Sequence, residues 1–440
     1  MIGSRRIINY LANSAKEKLS EPVIQRLRDF KEKATVWRQP EMPISIKEIE
    51  LITARRAQME EPRINLLITT INPEEAYGGV STALKFFKQI SQSYKNVRLI
   101  PTFREPSLKG VGTFSEYSLV SLEDETNQPK QIVSIAAPGG RTLAVGSEDI
   151  FVTTFWSTAY LAQRLVLWQS QEFNQPVKPI VYFIQDYEPG FYDWSSQYLL
   201  ARSTYEYNGP MIAVFNSDLL RKYFHRQDYR FDSEYSFEPK MNQALHNLRP
   251  NLAQLKKHKQ ILVYGRPWVA RNAFGLIVAG LRIWRCQFPQ ASTWEILSAG
   301  DLHRDVDLGG GVVMKSLGKL SLENYACTLM ESAVGLSLMV SPHPSYPPLE
   351  MAHYGMWVLT NNYDNKDISL WHDNIISLKD FTPESIAHNL SILCQRVEAD
   401  PTSGLHGKSH LQHYLSDDPS FLFLEEICGL LHKTSNKRRL

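Results

Sequence analysis

The sequence has 440 residues, and its 48 Lys and Arg residues nearly balance its 46 Asp and Glu residues, giving a formal net charge of +2. Hydrophobic residues make up 43% and charged residues 21%, which is typical of a globular protein and excludes collagen-like and wholly disordered chains. The length predicts two to four domains, and the near-neutral charge argues against a nucleic-acid-binding protein.

The four cysteines are scattered and form no C-x-x-C pair, so reduced thiols are expected rather than a disulfide scaffold or a zinc site. The sequence shows no apolar run of 18 residues and no signal-peptide pattern. These features predict a cytoplasmic protein, with peripheral contact at the inner face of the cell membrane as a further option.

Both ends of the chain are basic. Residues 1–40 hold nine Lys and Arg against four Asp and Glu, and the last ten residues add four basic residues and no acid. Apolar residues at helical spacing follow the first segment: Leu19, Val23, Leu27 and Phe30. The pattern predicts a basic helical arm over 1–60, which either contacts an anionic lipid or glycolipid surface or packs on the body.

Two α/β halves follow the arm. In the first, continuous apolar runs predict strands of a parallel sheet that is covered on both faces: Ile64–Ile71, Val97–Ile100, Ile132–Ala136, Ile150–Phe155, Pro179–Ile184 and Met211–Phe215. Helices are predicted between them, at Val80–Ser93, Ser157–Gln171 and Asp218–Arg226. The first predicted strand is followed by Gly78 and Gly79, which would let a ligand approach the backbone and would open a helix N-terminus to an anion, unless they form only a tight turn.

Asp186 and Glu188 follow another predicted strand of this half, among Tyr and Phe residues. Two carboxylates in a partly desolvated site fit a general base. The alternative is structural, with Asp186 capping a helix and Glu188 in a salt bridge.

A polar stretch over Glu238–Gln260 predicts a linker, after which the α/β pattern restarts. Strands are predicted at Ile261–Tyr264, Trp294–Ser298, Val312–Met314, Val334–Val340, Trp357–Thr360 and Ile375–Leu378. Helices are predicted at Asn272–Phe288, Leu322–Ser332, Pro348–Tyr354 and Pro383–Val397. The predicted fold is therefore two Rossmann-like, doubly wound parallel-sheet domains that face a cleft, over 61–240 and 255–400, with 401–440 as a C-terminal helix returning to the first domain and a basic tail.

The second half carries candidate residues for binding a phosphate and a nucleoside. Arg266 and Arg271 follow its first strand, and their guanidinium groups suit phosphate oxygens. Lys319 lies in a Gly-Lys turn before a helix and could place a further charge on a phosphate. Tyr346 and Glu350 follow a proline-rich loop, where Tyr346 could stack on a nucleoside and Glu350, in the first turn of a helix, could accept hydrogen bonds from a ribose diol or compensate the helix dipole.

A metal ion that binds a diphosphate would call for carboxylates such as Asp-x-Asp near the phosphate-binding residues. The one such string, Asp305 to Asp307, precedes three glycines and is interpreted as a solvated turn. We therefore expect no metal and no cofactor.

The order G-R-x4-R-N, L-G-K-L and then P-x7-E after a buried strand is similar to the GT-B glycosyltransferases of family four. Within them, Val263–Leu276, Leu317–Leu320, Ser337–Tyr354 and Ile184–Gln197 resemble the S-layer glycan rhamnosyltransferases of the WsaF type. The resemblance spans about Ile64 to Cys394. Family-four enzymes that retain configuration usually carry Glu-x7-Glu in the proline-rich loop, whereas this chain has Pro342 at the first Glu position.

The resemblance implies transfer of L-rhamnose from dTDP-β-L-rhamnose to a glycan or lipid-linked glycan acceptor. By position, Gly78, Gly79, Arg266, Arg271, Lys319, Tyr346 and Glu350 would bind the donor, with Asp186 and Glu188 as candidates for the base. A GT-B enzyme for a UDP- or GDP-linked sugar, and a non-catalytic glycan- or nucleotide-binding module, are the alternatives. No nucleic-acid partner is expected, and the sequence leaves room for a homodimer.

Overall fold

A computed structural model describes residues 45–50, 52–75, 78–124, 126–136 and 142–436, without the side chains of 433–436. The chain divides into two compact units, residues 1–50 and 51–440. In the first unit, Lys47–Ile49 form one turn of 3-10 helix. The predicted helical face from Leu19 to Phe30 lies outside the described residues, as does the end of the basic tail.

The first half of the larger unit is an α/β domain. Its strands are β1 (Thr53–Arg56), β2 (Arg63–Ile68), β3 (Asn96–Pro101), β4 (Ser118–Leu119), β5 (Lys130–Ile132), β6 (Thr142–Val145), β7 (Asp149–Thr153), β8 (Ile180–Ile184), β9 (Met211–Phe215) and β10 (Ser233–Ser236). Its helices are α1 (Gly78–Ile90), α2 (Leu108–Thr113), α3 (Trp156–Glu172), α4 (Ser196–Ser203) and α5 (Asp218–Arg226).

Eight of these strands form one sheet in the order β10-β9-β8-β7-β2-β3-β5-β4, and every pairing in it is parallel. The central strands β2, β7, β8 and β9 are buried throughout because helices cover both faces of the sheet. The predicted arm over 1–60 extends too far, because β1 pairs with β6 in a separate two-stranded sheet of the larger unit.

The second half of the larger unit is also α/β. Its strands are β11 (His258–Gly265), β12 (Glu295–Gly300), β13 (Val306–Gly309), β14 (Val312–Gly318), β15 (Ser332–Leu336), β16 (Trp357–Asn361) and β17 (Ile375–Leu378). The helices from the linker onward are α6 (Gln243–Leu248), α7 (Phe274–Gln287), α8 (Leu322–Glu331), α9 (Tyr346–His353), α10 (Pro383–Ala399) and α11 (Leu424–Asn436).

These strands form a sheet in the order β13-β14-β12-β11-β15-β16-β17, in which only the edge strand β13 is antiparallel. Without β13, this is the strand order of a classical dinucleotide-binding sheet, whose order reverses between β11 and β15. In such sheets a ligand binds at the carboxyl ends of the strands, at the point of reversal. The two predicted Rossmann-like domains are confirmed.

Two segments connect the halves. The predicted linker contains helix α6 rather than only loop, because Met241 and Leu245 pack into the core of the second half. After α10 the chain returns to the first half, where Phe421, Ile427 and Leu431 pack in the same buried cluster as residues of α1. The Met241 amide donates to the Tyr414 carbonyl at 3.0 Å, so the two connections are hydrogen bonded to each other.

Candidate active site

A cavity of about 470 Å³ lies within the larger unit and is lined by both halves. The first half contributes one face of α1. The second half contributes the ends of β11 and β12, the loop that follows β14, and residues of α8 and α9. The two connections close its remaining side with Met241, Leu245 and Phe421. The cavity therefore lies at the carboxyl ends of β11 and β12, close to the point where the strand order reverses.

Gly78 and Gly79 open helix α1, and Gly78 lines the cavity. A Cβ added at Gly78 would meet no atom within 4 Å, whereas one added at Gly79 would lie 2.2 Å from Oε1 of Gln185. Gly79 thus allows close packing of α1 against the end of β8. The helix directs the positive end of its dipole toward the cavity.

Arg266 follows β11 directly and lines the cavity. Its Nε lies 3.3 and 3.4 Å from the two carboxylate oxygens of Asp301, and it is hydrogen bonded to Tyr264. These neighbours hold the guanidinium at the cavity wall, where an anionic ligand would find it already oriented.

Lys319 lies in the loop after β14 and also lines the cavity. Its Nζ donates to the backbone carbonyl oxygen of Glu74 at 2.8 Å. The ammonium group therefore connects the second half to the loop that precedes α1. Lys319, Arg266 and the N-terminus of α1 place positive charge on several sides of one cavity.

Glu350 is half-buried on α9 and lines the cavity beside Tyr325 of α8. The Tyr325 hydroxyl donates to Oε2 of Glu350 at 2.9 Å. Burial raises the pKa of the Glu350 carboxyl to about 7, although the hydrogen bond from Tyr325 opposes the rise. The expectation that Glu350 lies in the first helical turn is wrong, because α9 begins at Tyr346 and places Glu350 in the second turn.

Tyr346 joins the two halves through Asn216, which follows β9. The Tyr346 hydroxyl donates to Oδ1 of Asn216 at 3.1 Å, and Nδ2 of Asn216 lies 3.1 Å from Nε2 of His343. Asn216 and His343 are both buried. Asn216 is not predicted from the sequence, where its only signal is a polar residue directly after a buried strand.

Asp186 lies at the end of β8 and is buried against the proline-rich loop of the second half. The Ser341 hydroxyl donates to its Oδ1, as does the Tyr187 amide at 2.8 Å. Nε of Arg271 lies 3.9 Å from Oδ2, and the Arg271 guanidinium stacks on the Phe191 ring at 4.1 Å. Arg271 therefore faces a carboxylate and an aromatic ring, beside rather than within the cavity lining.

Glu188 occupies a different place from Asp186. Its side chain is 1% exposed, and Oε2 accepts hydrogen bonds from the Trp156 amide at 2.5 Å and from the Tyr182 hydroxyl at 2.8 Å. It thereby caps the N-terminus of α3. Burial raises the pKa of Glu188 to about 8. The salt bridge of the structural alternative is wrong, because Glu188 instead caps the helix and pairs with no cation among the described residues.

The cavity thus brings together five of the nine predicted site residues: Gly78, Arg266, Lys319, Tyr346 and Glu350. The other four, Gly79, Arg271, Asp186 and Glu188, are not among the residues that line it, and Glu188 lies at the start of α3. Asp305 and Asp307 lie elsewhere, where each accepts a backbone amide, from Ser316 and Gly309 respectively. The interpretation of this string as a turn is wrong in part, because Asp307 belongs to the edge strand β13.

This arrangement suits a ligand with a diphosphate and a hydroxylated sugar. Cations and a helix N-terminus stabilise the phosphate charge, and a carboxylate accepts hydrogen bonds from hydroxyl groups. No group of three or more His, Cys, Asp or Glu side chains in the described ranges is arranged to hold a metal ion. In those same ranges, no helix is long and apolar enough to span a bilayer.

Solved structures with the same fold include a trehalose-6-phosphate synthase from Burkholderia multivorans, at a TM-score of 0.53 and 9% identity over 86% of this chain and 100% of that one. The N-terminal domain of trehalose-6-phosphate phosphatase from Candida albicans matches at a TM-score of 0.51 and 12% identity, over 84% of this chain and 99% of that one. At such identities the likeness concerns the fold alone. Two parallel-sheet domains with a cavity between them at the strand ends define the GT-B glycosyltransferase class.

Family models narrow the class. The model of the WsaF N-terminal domain matches residues 63–218, and that of the WsaF C-terminal domain matches residues 259–391. Because the two ranges cover more than half of the chain in the order of the family, the chain belongs to the WsaF family. The O-antigen biosynthesis protein RfbC of Myxococcus xanthus is 28% identical over 331 residues, which are 72% of this chain but only 24% of that protein.

Proposed function

We propose that the chain transfers L-rhamnose from dTDP-β-L-rhamnose to a hydroxyl group of a glycan acceptor, in the synthesis of a bacterial surface polysaccharide. The observation that carries the transfer is the cavity that Arg266, Lys319 and the start of α1 line together with Glu350. The choice of rhamnose and of a surface glycan rests on the WsaF family and on the name of the relative from Myxococcus xanthus.

In this proposal the cations stabilise the leaving group. As the glycosidic bond of the donor breaks, negative charge develops on the nucleoside diphosphate. Arg266 and Lys319 bind its phosphate oxygens, and the α1 dipole at Gly78 adds to the stabilisation. A metal ion is then unnecessary for charge neutralisation, and we expect transfer to continue in EDTA.

Asp186 is the better placed of the two candidate bases. Its carboxylate contacts Ser341 and Arg271 of the second half, whereas the carboxylate of Glu188 is directed at the α3 N-terminus. If the β-linked donor gives an α-linked product, the configuration inverts, and Asp186 accepts the proton of the acceptor hydroxyl as the new bond forms. We also propose that transfer takes place in the cytoplasm, where nucleotide sugars are made.

Product formation tests the function directly. The full chain is incubated with dTDP-L-rhamnose and a synthetic rhamnoside acceptor, with and without EDTA, and the product is identified by mass spectrometry. UDP- and GDP-linked sugars in parallel reactions test the alternative donors. A product only from those sugars would contradict the rhamnose assignment, and no product from any donor would favour a non-catalytic binding module.

Asp186→Asn tests the base. We expect kcat to fall by at least about 100-fold, because the amide cannot accept the proton. Glu188→Gln is the matched control, since it makes the same change from carboxylate to amide in the residue that caps α3. We expect this variant to retain most of kcat. Near-normal rates for both variants, together with retained configuration in the product, would remove Asp186 as a base.

A further inference from the structure

The two carboxylate oxygens of Glu350 are occupied differently. Oε2 accepts the hydroxyl of Tyr325 at 2.9 Å. Over the described part of the chain, Oε1 accepts no hydrogen bond. Both residues line the cavity, so the carboxylate presents one oxygen that is already paired and one that is available to a ligand.

Tyr325 is held in this position by its helix and by the core. Helix α8 begins at Leu322 and is capped by Ser321, whose hydroxyl accepts the Asn324 amide. The Tyr325 ring packs against the buried cluster that contains Leu349 and Tyr414. A ligand could displace the phenol from Glu350 only by disturbing this packing or by leaving a half-buried hydroxyl without its partner, which is costly.

The sugar of a nucleotide can present two patterns to such a carboxylate. A ribonucleoside offers the 2′ and 3′ hydroxyls as a pair of donors, which match a carboxylate with two available oxygens. A 2′-deoxyribonucleoside offers the 3′ hydroxyl alone. The oxygen without a partner therefore matches one donor. A 2′ hydroxyl would have to share Oε2 with the Tyr325 hydroxyl, on the lone pair that remains.

We propose that Tyr325 determines the nucleotide specificity of the cavity by selecting 2′-deoxyribonucleoside diphosphates over ribonucleoside diphosphates. Its hydroxyl competes with a 2′ hydroxyl for Oε2 of Glu350, whereas Oε1 accepts the 3′ hydroxyl without competition. This proposal rests on the proposed function, in which Glu350 holds the sugar of the donor nucleoside. It assigns the selection to the sugar of the nucleotide rather than to its base.

Four nucleotides distinguish the effect of the sugar on binding from the effect of the base. They are dTDP, 5-methyluridine diphosphate, dUDP and UDP, which combine each sugar with the presence or absence of the 5-methyl group. Their Kd values are measured by titration calorimetry on the full chain at pH 8, above the pKa of Glu350. For each base we expect the deoxyribonucleotide to bind about tenfold more tightly, because a 2′ hydroxyl that leaves water for an acceptor shared with Tyr325 weakens binding.

Tyr325→Phe removes the hydroxyl and keeps the ring. We expect the ratio of ribo to deoxy Kd values to fall to within about twofold of one, because the 2′ hydroxyl then has Oε2 to itself. Tyr264→Phe is the matched control: it removes another cavity hydroxyl, which is bonded to Arg266 instead of Glu350. The control is expected to weaken all four nucleotides alike and to leave the ratio unchanged.

The outcomes distinguish this proposal from the function on which it rests. If the pyrimidine diphosphates bind but the native chain shows no deoxy preference, the role of Tyr325 is refuted and the proposed function stands. A preserved ratio in Tyr325→Phe likewise refutes it. If none of the four nucleotides binds, or if only GDP included as a fifth ligand binds, the dTDP donor is refuted first and the selection by Tyr325 with it.

Discussion

Glu188 in the first half of the larger unit and Glu350 in the second half each form a pair with a tyrosine. Each is a carboxylate that accepts a tyrosine hydroxyl, at 2.8 Å from Tyr182 and 2.9 Å from Tyr325. Burial raises the pKa of both, to about 8 and about 7 respectively. From these properties alone, either would be a candidate functional carboxylate.

The difference lies in what else each carboxylate contacts. Glu188 also accepts the Trp156 amide and is almost fully enclosed, so its hydrogen-bonding capacity serves the start of α3. Glu350 lies at a cavity wall and keeps Oε1 for a ligand. The raised pKa therefore reflects burial for both carboxylates. Only Glu350 has an oxygen, Oε1, that is available to a ligand.

The largest effect that would test this comparison is on stability. Glu188→Leu leaves the Trp156 amide and the Tyr182 hydroxyl without their acceptor, each at a cost of about 1–3 kcal/mol. We expect the free energy of unfolding, measured by urea denaturation, to fall by roughly 2–6 kcal/mol. The Kd for dTDP of the folded variant should stay close to that of the native chain, and a large rise in Kd would contradict the structural role.

Stability should also depend on pH through both groups. The unfolded chain releases the Glu188 proton near the ordinary pKa of 4.5, whereas the folded chain keeps it up to about 8. The stabilisation is therefore complete below pH 4.5 and is lost as the pH rises through 8.

Glu188→Gln cannot titrate, so its unfolding free energy should rise relative to that of the native chain by about 3 kcal/mol between pH 5 and 8. Glu350→Gln should show a smaller rise that ends near pH 7. Parallel urea titrations at pH 5, 7 and 8 measure both. Identical pH profiles for the two variants would mean that the carboxylates do not differ in burial as the structure has them.

The smallest effect is on ligand affinity. Glu350→Ala removes one charge-assisted hydrogen bond to the nucleotide, worth about 1.5–3 kcal/mol, so the Kd for dTDP should rise by roughly 10- to 150-fold. Calorimetry at pH 8 measures it, with Glu188→Gln as the control that should bind normally. An unchanged Kd in Glu350→Ala would show that the available oxygen meets no ligand group.

The sequence predicts the central strands of both sheets because their apolar runs are continuous, as in Ile180–Ile184 and Met211–Phe215. Short or polar strands are missed, such as β10, whose residues Ser233–Ser236 carry no apolar run. Helix α6 is also missed, since its stability depends on tertiary packing of Met241 and Leu245 rather than on a local pattern.

The candidate site shows the same limit. Residues at strand ends and in loops of unusual composition, such as Arg266 and Glu350, are predicted from the sequence and line the cavity. The pairing of Tyr325 with Glu350 and of Asn216 with Tyr346 is not, because each joins elements that are distant along the chain. The similar local surroundings of Asp186 and Glu188 also hid their different orientations.

The return of the chain to its first half has a consequence for biosynthesis. Ile427 and Leu431 of α11 are fully enclosed in a cluster with Phe86 and Ile90 of α1, although more than 300 residues separate them. During translation from the N-terminus, the first half leaves the ribosome long before its last core residues are made. The apolar surface of α1 that α11 covers stays exposed until the second half has emerged, so the first domain completes its core only after the second half has been made.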